Sequence, residues 1–325
     1  TEIYTLSLHD ALPIWLRPGK ILLVDTKLGI IVPNEEIKEN LARRNPYSAW
    51  LKENRLNLEE IEVKTRVSSN LGSKHLSYLN AFGYSKEDIE SVIMPMAKTG
   101  KEPISSMGND SPMAVLSTRP QNLANYFKQI FAQVTNPPID PLREGMVMAL
   151  TNYIGSVQKN LLDETQEHCH LVKFKSPLIT NTDLGKIKDL RHASFTNVSL
   201  QMVYPVEEKG IGLEKALEKL CMDAEKAVDQ KKNFIILSDK GISHEMAHIP
   251  AILAVSAVHH HLIQKKKRMQ VGLIIETAEA REVHHFALLL AYGASVIHTY
   301  LGFAIIEDLA KMKKLDGLSS NEART

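Results

Sequence analysis

Phe234-Ile235-Ile236-Leu237-Ser238-Asp239, in the last third of the chain, reads as a strand with no polar face. An unbroken apolar run of strand length is covered on both sides, as in a parallel sheet between two layers. Pro250 to Gln264 follows as a helix, with proline at its entrance, and Val271 to Ile275 as the next strand. Arg281 to Tyr292 then predicts a helix with Val283, Phe286, Ala287 and Leu290 inward, and Ala294 to Ile297 a further strand. Upstream, Leu213, Leu217, Leu220, Ala224 and Val228 recur at helical spacing. Strands alternating with helices signify an α/β fold: a mostly parallel sheet flanked by helices with right-handed crossovers.

Earlier segments are less regular. Ile21 to Val24 and Ile30 to Val32 predict a hairpin turning near Gly29, and Glu35-Glu36 opens a helix that Asn45-Pro46 stops. Lys52 to Lys74 reads as a linker or exposed crossover. Ser85 to Met96 predicts a helix capped by Ser85 with Asp88 three residues on. Met113 to Leu116 reads as a short strand. A further helix is expected from Ser117 or Thr118, with Leu123, Phe127, Ile130, Phe131 and Val134 on one face, ending at Thr135-Asn136-Pro137-Pro138. Thr1 to Ile14 reads as a translated sequencing adaptor and is set aside from the fold argument.

The 325 residues suit two domains or one large α/β unit, and 39 Lys+Arg against 38 Asp+Glu leave a formal charge of +1. That balance argues against nucleic acid as a partner. The longest apolar runs, Ile249–Val258 and Phe286–Ala291, fall well short of the roughly 20 residues that cross a bilayer. Cys169 and Cys221 are too few for a disulfide framework or a four-thiolate cluster, and suit a reducing cytoplasm.

His244-Glu245-Met246-Ala247-His248 matches a zinc-peptidase pattern, which needs both imidazoles on one helix. Here a strand ends just before the motif and Pro250 opens the next helix just after it, so a solvated loop is the expectation. His259-His260-His261 and His284-His285 point in directions about 100° apart on a helix and cannot chelate one ion together. One core-facing histidine with partly exposed neighbours is expected of each run. Asp239, Glu276 and His298 each follow a strand of the parallel sheet, on the edge where α/β folds gather binding groups. Asp239 and Glu276 could equally cap loops or helix N-termini.

Several blocks carry a family resemblance. Arg17-Pro18-Gly19-Lys20-Ile21-Leu22-Leu23-Val24-Asp25-Thr26, Glu35-Glu36-Ile37-Lys38 and Asn45-Pro46-Tyr47 resemble the end of the class II glutamine amidotransferase domain of glutamate synthase large subunits. Ala81-Phe82-Gly83-Tyr84, Ser106 to Ser117, Phe127 to Pro141, Ala254 to Ile263 and Glu276 to Gly293 resemble the central domain of the same enzymes. Asn109, Ser111 and His298-Thr299 depart from the usual family residues, and Lys311 to Thr325 does not follow the family pattern.

The resemblance implies residues 15–60 as the end of the amidotransferase domain, 61–310 as the central domain resembling a reduced β/α barrel, and 311–325 as an atypical tail. It implies a fragment of an enzyme that makes two glutamates from glutamine, 2-oxoglutarate and two electrons. No catalytic, cofactor or metal residue is expected within it. FMN and an iron–sulfur cluster belong elsewhere in the parent enzyme, whose partners include a small reductase subunit or ferredoxin. The segment would join the glutaminase and FMN sites and wall an ammonia tunnel, with Thr135, Asn136, Pro137, Pro138, Asp140 and Arg143 as candidates and Arg143 bracing the loop by an ion pair. A stand-alone, non-catalytic α/β interaction module is the alternative.

Overall fold

The computed structural model describes residues 18–63, 67, 71–104, 116, 121–128, 130, 134, 136–157, 160, 162–190 and 195–324. The expectations for Thr1–Ile14, Met113–Val115, Ser117–Thr118, Phe131 and Thr135 lie outside them. The chain divides into two compact units, Thr1–Arg55 and Leu56–Thr325.

In the first unit β1 (Leu23–Asp25) and β2 (Ile30–Val32) pair antiparallel. The Asp25 carboxylate accepts from the backbone N–H of Lys27 and Leu28, and Gly29 takes φ +69° to close the turn. α1 (Asn34–Arg43) carries Glu35 and Glu36 in its first turn, as expected. α1 ends at Arg43, ahead of Asn45-Pro46 as expected, and a second helix, α2 (Tyr47–Asn54), starts directly after Pro46, because proline suits a helix entrance.

In the second unit β3 (Leu56–Asn57), β4 (Asn152–Gly155) and β5 (Leu171–Phe174) form a small mixed sheet, so part of the stretch expected as a linker is paired. α3 (His75–Ala81) and α4 (Met94–Thr99) flank a π-helical stretch, Asp88–Ile93, entered through the predicted cap: Ser85 Oγ and Asp88 exchange hydrogen bonds. The helix expected over 117–134 is not present in the described part. Leu123–Tyr126 is one 3-10 turn and Phe127 is extended. Leu123 and Phe127 lean on the main core, but Ile130 and Val134 stand exposed, so the apolar spacing does not continue as one buried face. α5 (Pro141–Val147) is capped by Asp140, whose carboxylate accepts from Leu142 N–H at 3.2 Å.

The C-terminal organisation follows the sequence reading. α6 (Asn181–Lys188) leads to β6 (Asn197–Gln201), then β7 (Val203–Pro205), α7 (Lys209–Asp229), β8 (Phe234–Ser238), β9 (Met246–His248), α8 (Ala251–Gln264), β10 (Gly272–Thr277), α9 (Val283–Ala291), β11 (Val296–Thr299) and α10 (Tyr300–Lys311). The order β11-β10-β8-β6 is parallel throughout, and α7, α8 and α9 supply its crossovers. Among the described residues these four strands do not close into a barrel.

Alternate side chains build different cores. Ile235, Leu237, Leu273 and Ile275 pack with Leu220, Val255, Val258 and Leu289 of the helices. Phe234, Ile236, Ile274 and Val296 pack with Val172 and Phe174 of the small sheet and Leu184 and Ile187 of α6. On α9 Phe286 and Leu290 lean on the core as expected, while Val283 and Ala287 do not. His284, His285 and Leu289 are buried and Val283 is exposed, because both imidazoles find partners: Ala124 O for His284 and Glu282 for His285.

Candidate functional site

The parallel register sets Ser238, Glu276 and His298 abreast at the carboxyl ends of β8, β10 and β11. Asp239, Glu276 and His298 are almost fully buried, with relative exposures of 0, 2 and 0%. Strand alternation divides them between two faces. Glu276 and His298 continue the Ile274–Val296 face toward α6. The threonine capping box Thr180–Asp183 starts that helix, placing Asn181 at one end and Lys188 at the other.

The Glu276 carboxylate receives the Lys240 ammonium at 2.8 Å and that of Lys188 at 3.1 Å. Burial pushes this carboxyl up, but the two ammonium groups outweigh it and hold it at about 2. His298 Nε2 meets Asn181 Oδ1 at 2.7 Å, while its buried Nδ1 has no hydrogen-bond partner among the described residues. Burial, opposed by Glu276 and reinforced by the two lysines, pushes this imidazole down to about 3, so it is neutral near pH 7.

Asp239 belongs to the opposite face. Its carboxylate accepts from Thr277 Oγ1 at 2.6 Å, Tyr300 OH at 2.7 Å and Ala278 N–H at 3.1 Å. Burial raises it to about 6 against those hydrogen bonds, with Glu279 adding to the rise. Glu279 accepts from Ala251 N–H at 2.6 Å, capping α8, and meets His248 Nε2 at 3.1 Å. The structure therefore groups Glu276 with His298 and separates Asp239 from them.

A plug closes this edge. Tyr78 OH donates to Lys240 O and Tyr84 OH to Ala278 O, each at 2.7 Å. The Phe82 ring lies 4.5 Å from that of His248, and Arg281 stacks on Tyr84 at 4.3 Å. The Asp239 side of the edge thus lies beneath aromatic rings, while Lys188 and Lys240, over Glu276, keep part of their side chains exposed. Lys188, Lys240, Glu279, Tyr300 and the plug escaped the sequence reading. The signal that could have revealed α6 is the Thr180-Asn181-Thr182-Asp183 cap signature, which the sequence reading did not use.

The zinc-like motif resolves differently from the expected loop: His244 is in a turn and Met246–His248 is strand β9, paired with β7. In the tunnel candidates, Asn136, Pro137, Pro138, Asp140 and Arg143 are exposed. Ile139 N–H donates to Pro137 O at 2.7 Å. Arg143 N–H donates to Asp140 O at 2.9 Å, and among the described residues no side-chain ion pair joins them; Asp140 is the helix cap instead.

The sequence profile described as glutamate synthase central domain matches residues 77–325, and that of the class-II glutamine amidotransferases matches residues 13–50. The chain belongs to the glutamate synthase family. It is 40% identical over 308 residues to the glutamate synthase [NADPH] large chain of Bacillus subtilis, covering 95% of this chain and 20% of that protein. It is 37% identical over 317 residues to glutamate synthase [NADH] of Saccharomyces cerevisiae, covering 94% and 14%. With the ferredoxin-dependent glutamate synthase of Oryza sativa it shares 40% over 290 residues, covering 88% and 18%. The chain spans a fifth or less of the length of these relatives.

Of the two cysteines, Cys169 lies in a 3-10 turn and Cys221 on α7. No helix among the described residues is long and apolar enough to cross a membrane.

Proposed function

We propose that this chain is the connecting part of a glutamate synthase large subunit. It holds the glutaminase and flavin sites of the same polypeptide in register and lets ammonia pass between them. In that reading residues 15–60 end the amidotransferase domain, residues 61–310 form the central domain, and residues 311–325 are its tail, seated by Leu315, which is buried against the α10 cluster. The reaction served is glutamine + 2-oxoglutarate + 2 electrons + 2 protons giving two glutamates. FMN and the iron–sulfur cluster act outside these residues. A reductase subunit or ferredoxin delivers the electrons, in a cytoplasmic setting that suits two free thiols.

The observation that carries a spacer role is the closed carboxyl edge. Where an α/β enzyme would bind substrate, this chain has Glu276 held by two lysines, Asp239 held by hydroxyl and backbone donors, and three aromatic side chains packed over the Asp239 side. The tunnel assignment to Thr135, Asn136, Pro137, Pro138, Asp140 and Arg143 is supported, over the described residues 136–143, by two prolines and an exposed surface. Prolines fix φ, Asp140 anchors the next helix, and Asn136 offers a small polar group to neutral ammonia. The exposed Leu142 and Met146 that follow supply apolar surface for a neighbouring domain.

Thr135→Val and Pro137→Ala in the full-length subunit test this role. Glutamine hydrolysis should outrun glutamate formation from 2-oxoglutarate, with free ammonia appearing in the medium. Unchanged one-to-one coupling in both variants would remove the segment from the tunnel.

A further inference from the structure

We propose that Tyr78–Tyr84 is a proton-sensitive latch on the carboxyl edge of the sheet, held by the Phe82 ring over a charged His248 and loosened when that imidazole is neutral. The geometry is specific. The two rings lie 4.5 Å apart with planes 37° from parallel, and His248 Nε2 is fixed by Glu279 Oε1 at 3.1 Å. The other Glu279 oxygen accepts from Ala251 N–H, so the carboxylate cannot follow the imidazole away from the helix entrance. An imidazolium in this place is an ion-pair partner on one side and a cation against an aromatic face on the other. A neutral imidazole can keep its Nε2–H hydrogen bond to Glu279 but loses the ion-pair and cation–aromatic parts of both attractions.

The groups around His248 favour the charged form. Glu279 comes from the β10–α9 connection and Asp239 from the end of β8; the plug itself contributes the uncharged Phe82 ring and the neutral phenols of Tyr78 and Tyr84, and α10 contributes Tyr300. Burial works against the charge, but Glu279 and then Asp239 raise His248 above the ordinary histidine range. Tyr84 and Tyr300 are raised by burial and stay protonated. Asp239, at about 6, ionises within the same pH range and adds to the field that keeps His248 charged.

The plug has room to shift. A cavity of about 830 Å³ lies between Leu76, Leu79 and Ile89 on its side and Ile305, Leu309 and Met312 beyond. Its remaining polar ties are the two phenol hydrogen bonds and the Arg281 guanidinium, which donates to Gly83 O at 3.2 Å, stacks on Tyr84 and meets Asp88 at 3.5 Å; none of them involves His248.

Amide exchange across residues 78–84 of the full-length protein, corrected for intrinsic rates, is the test. Protection should fall about two- to fivefold between pH 6 and pH 9, the size expected of one exposed-to-partly-buried cation–aromatic contact. His248→Gln should flatten that dependence. Phe82→Leu, which keeps the apolar volume and removes the ring, should flatten it as well. Protection independent of pH in the parent, or the same slope surviving in Phe82→Leu, overturns the latch.

Discussion

Glu276 is the residue on which burial and charge compete most directly. A lone carboxylate at this depth would be protonated, yet two ammonium groups within 3.1 Å keep it ionised. Both lysines remain partly exposed, so Glu276→Gln leaves cations that can turn to water. The expected loss is about 3 kcal/mol at pH 7, read from urea unfolding. The sign with pH follows from linkage. The folded value of about 2 lies below the ordinary 4.5, so this contribution is complete above pH 4.5 and fades as pH falls toward 2. Asp239 runs the other way. Its folded value of about 6 lies above 3.8, so the stability it contributes is complete below pH 3.8 and is lost as pH rises through 6. Asp239→Asn should therefore gain on the parent by up to about 3 kcal/mol between pH 4 and pH 7. A constant difference across that range would show that Asp239 does not titrate as its burial requires.

At the scale of elements, legibility followed how continuous the apolar signal was. β8, β10 and β11 and the helices between them are visible as long uninterrupted patterns, and their ends fell within about two residues of expectation. Leu123, Phe127, Ile130 and Val134 carry helical spacing too, but Ile130 and Val134 are exposed and the backbone at Phe127 is extended. Spacing alone cannot supply the surface that stabilises a helix. Asp239, Glu276 and His298 were legible because strand ends are. Their partners were not: Lys188 lies 88 residues before Glu276 and Asn181 lies 117 before His298. Tight packing between elements was equally hidden. A Cβ on Gly272 of β10 would stand 2.2 Å from Ile154 Cγ2 and 3.2 Å from the Phe234 ring. Gly272→Ala should cost about 1–3 kcal/mol by pushing β4 away from the main sheet. A thermal midpoint equal to the parent's would show that the two sheets have slack.

At the scale of the molecule the two units differ in kind. Among the described residues, the three buried apolar clusters all lie in Leu56–Thr325. Among the described residues of the first unit, 18–55, no side chain is buried, and Ile21, Leu22, Leu23, Val24, Leu28, Ile30 and Ile31 are each more than 40% exposed. Both faces of this hairpin are apolar, which fits a pair of strands covered on two sides within a larger domain. An isolated two-stranded hairpin is marginal in water, and α1 and α2 are too short to persist unsupported. A peptide of residues 18–55 should therefore show no cooperative thermal transition by circular dichroism, while residues 56–325 should unfold cooperatively. The opposite result for the peptide would mean that this unit has a core of its own. Its apolar strands would then be a surface rather than the exposed interior of an amidotransferase domain.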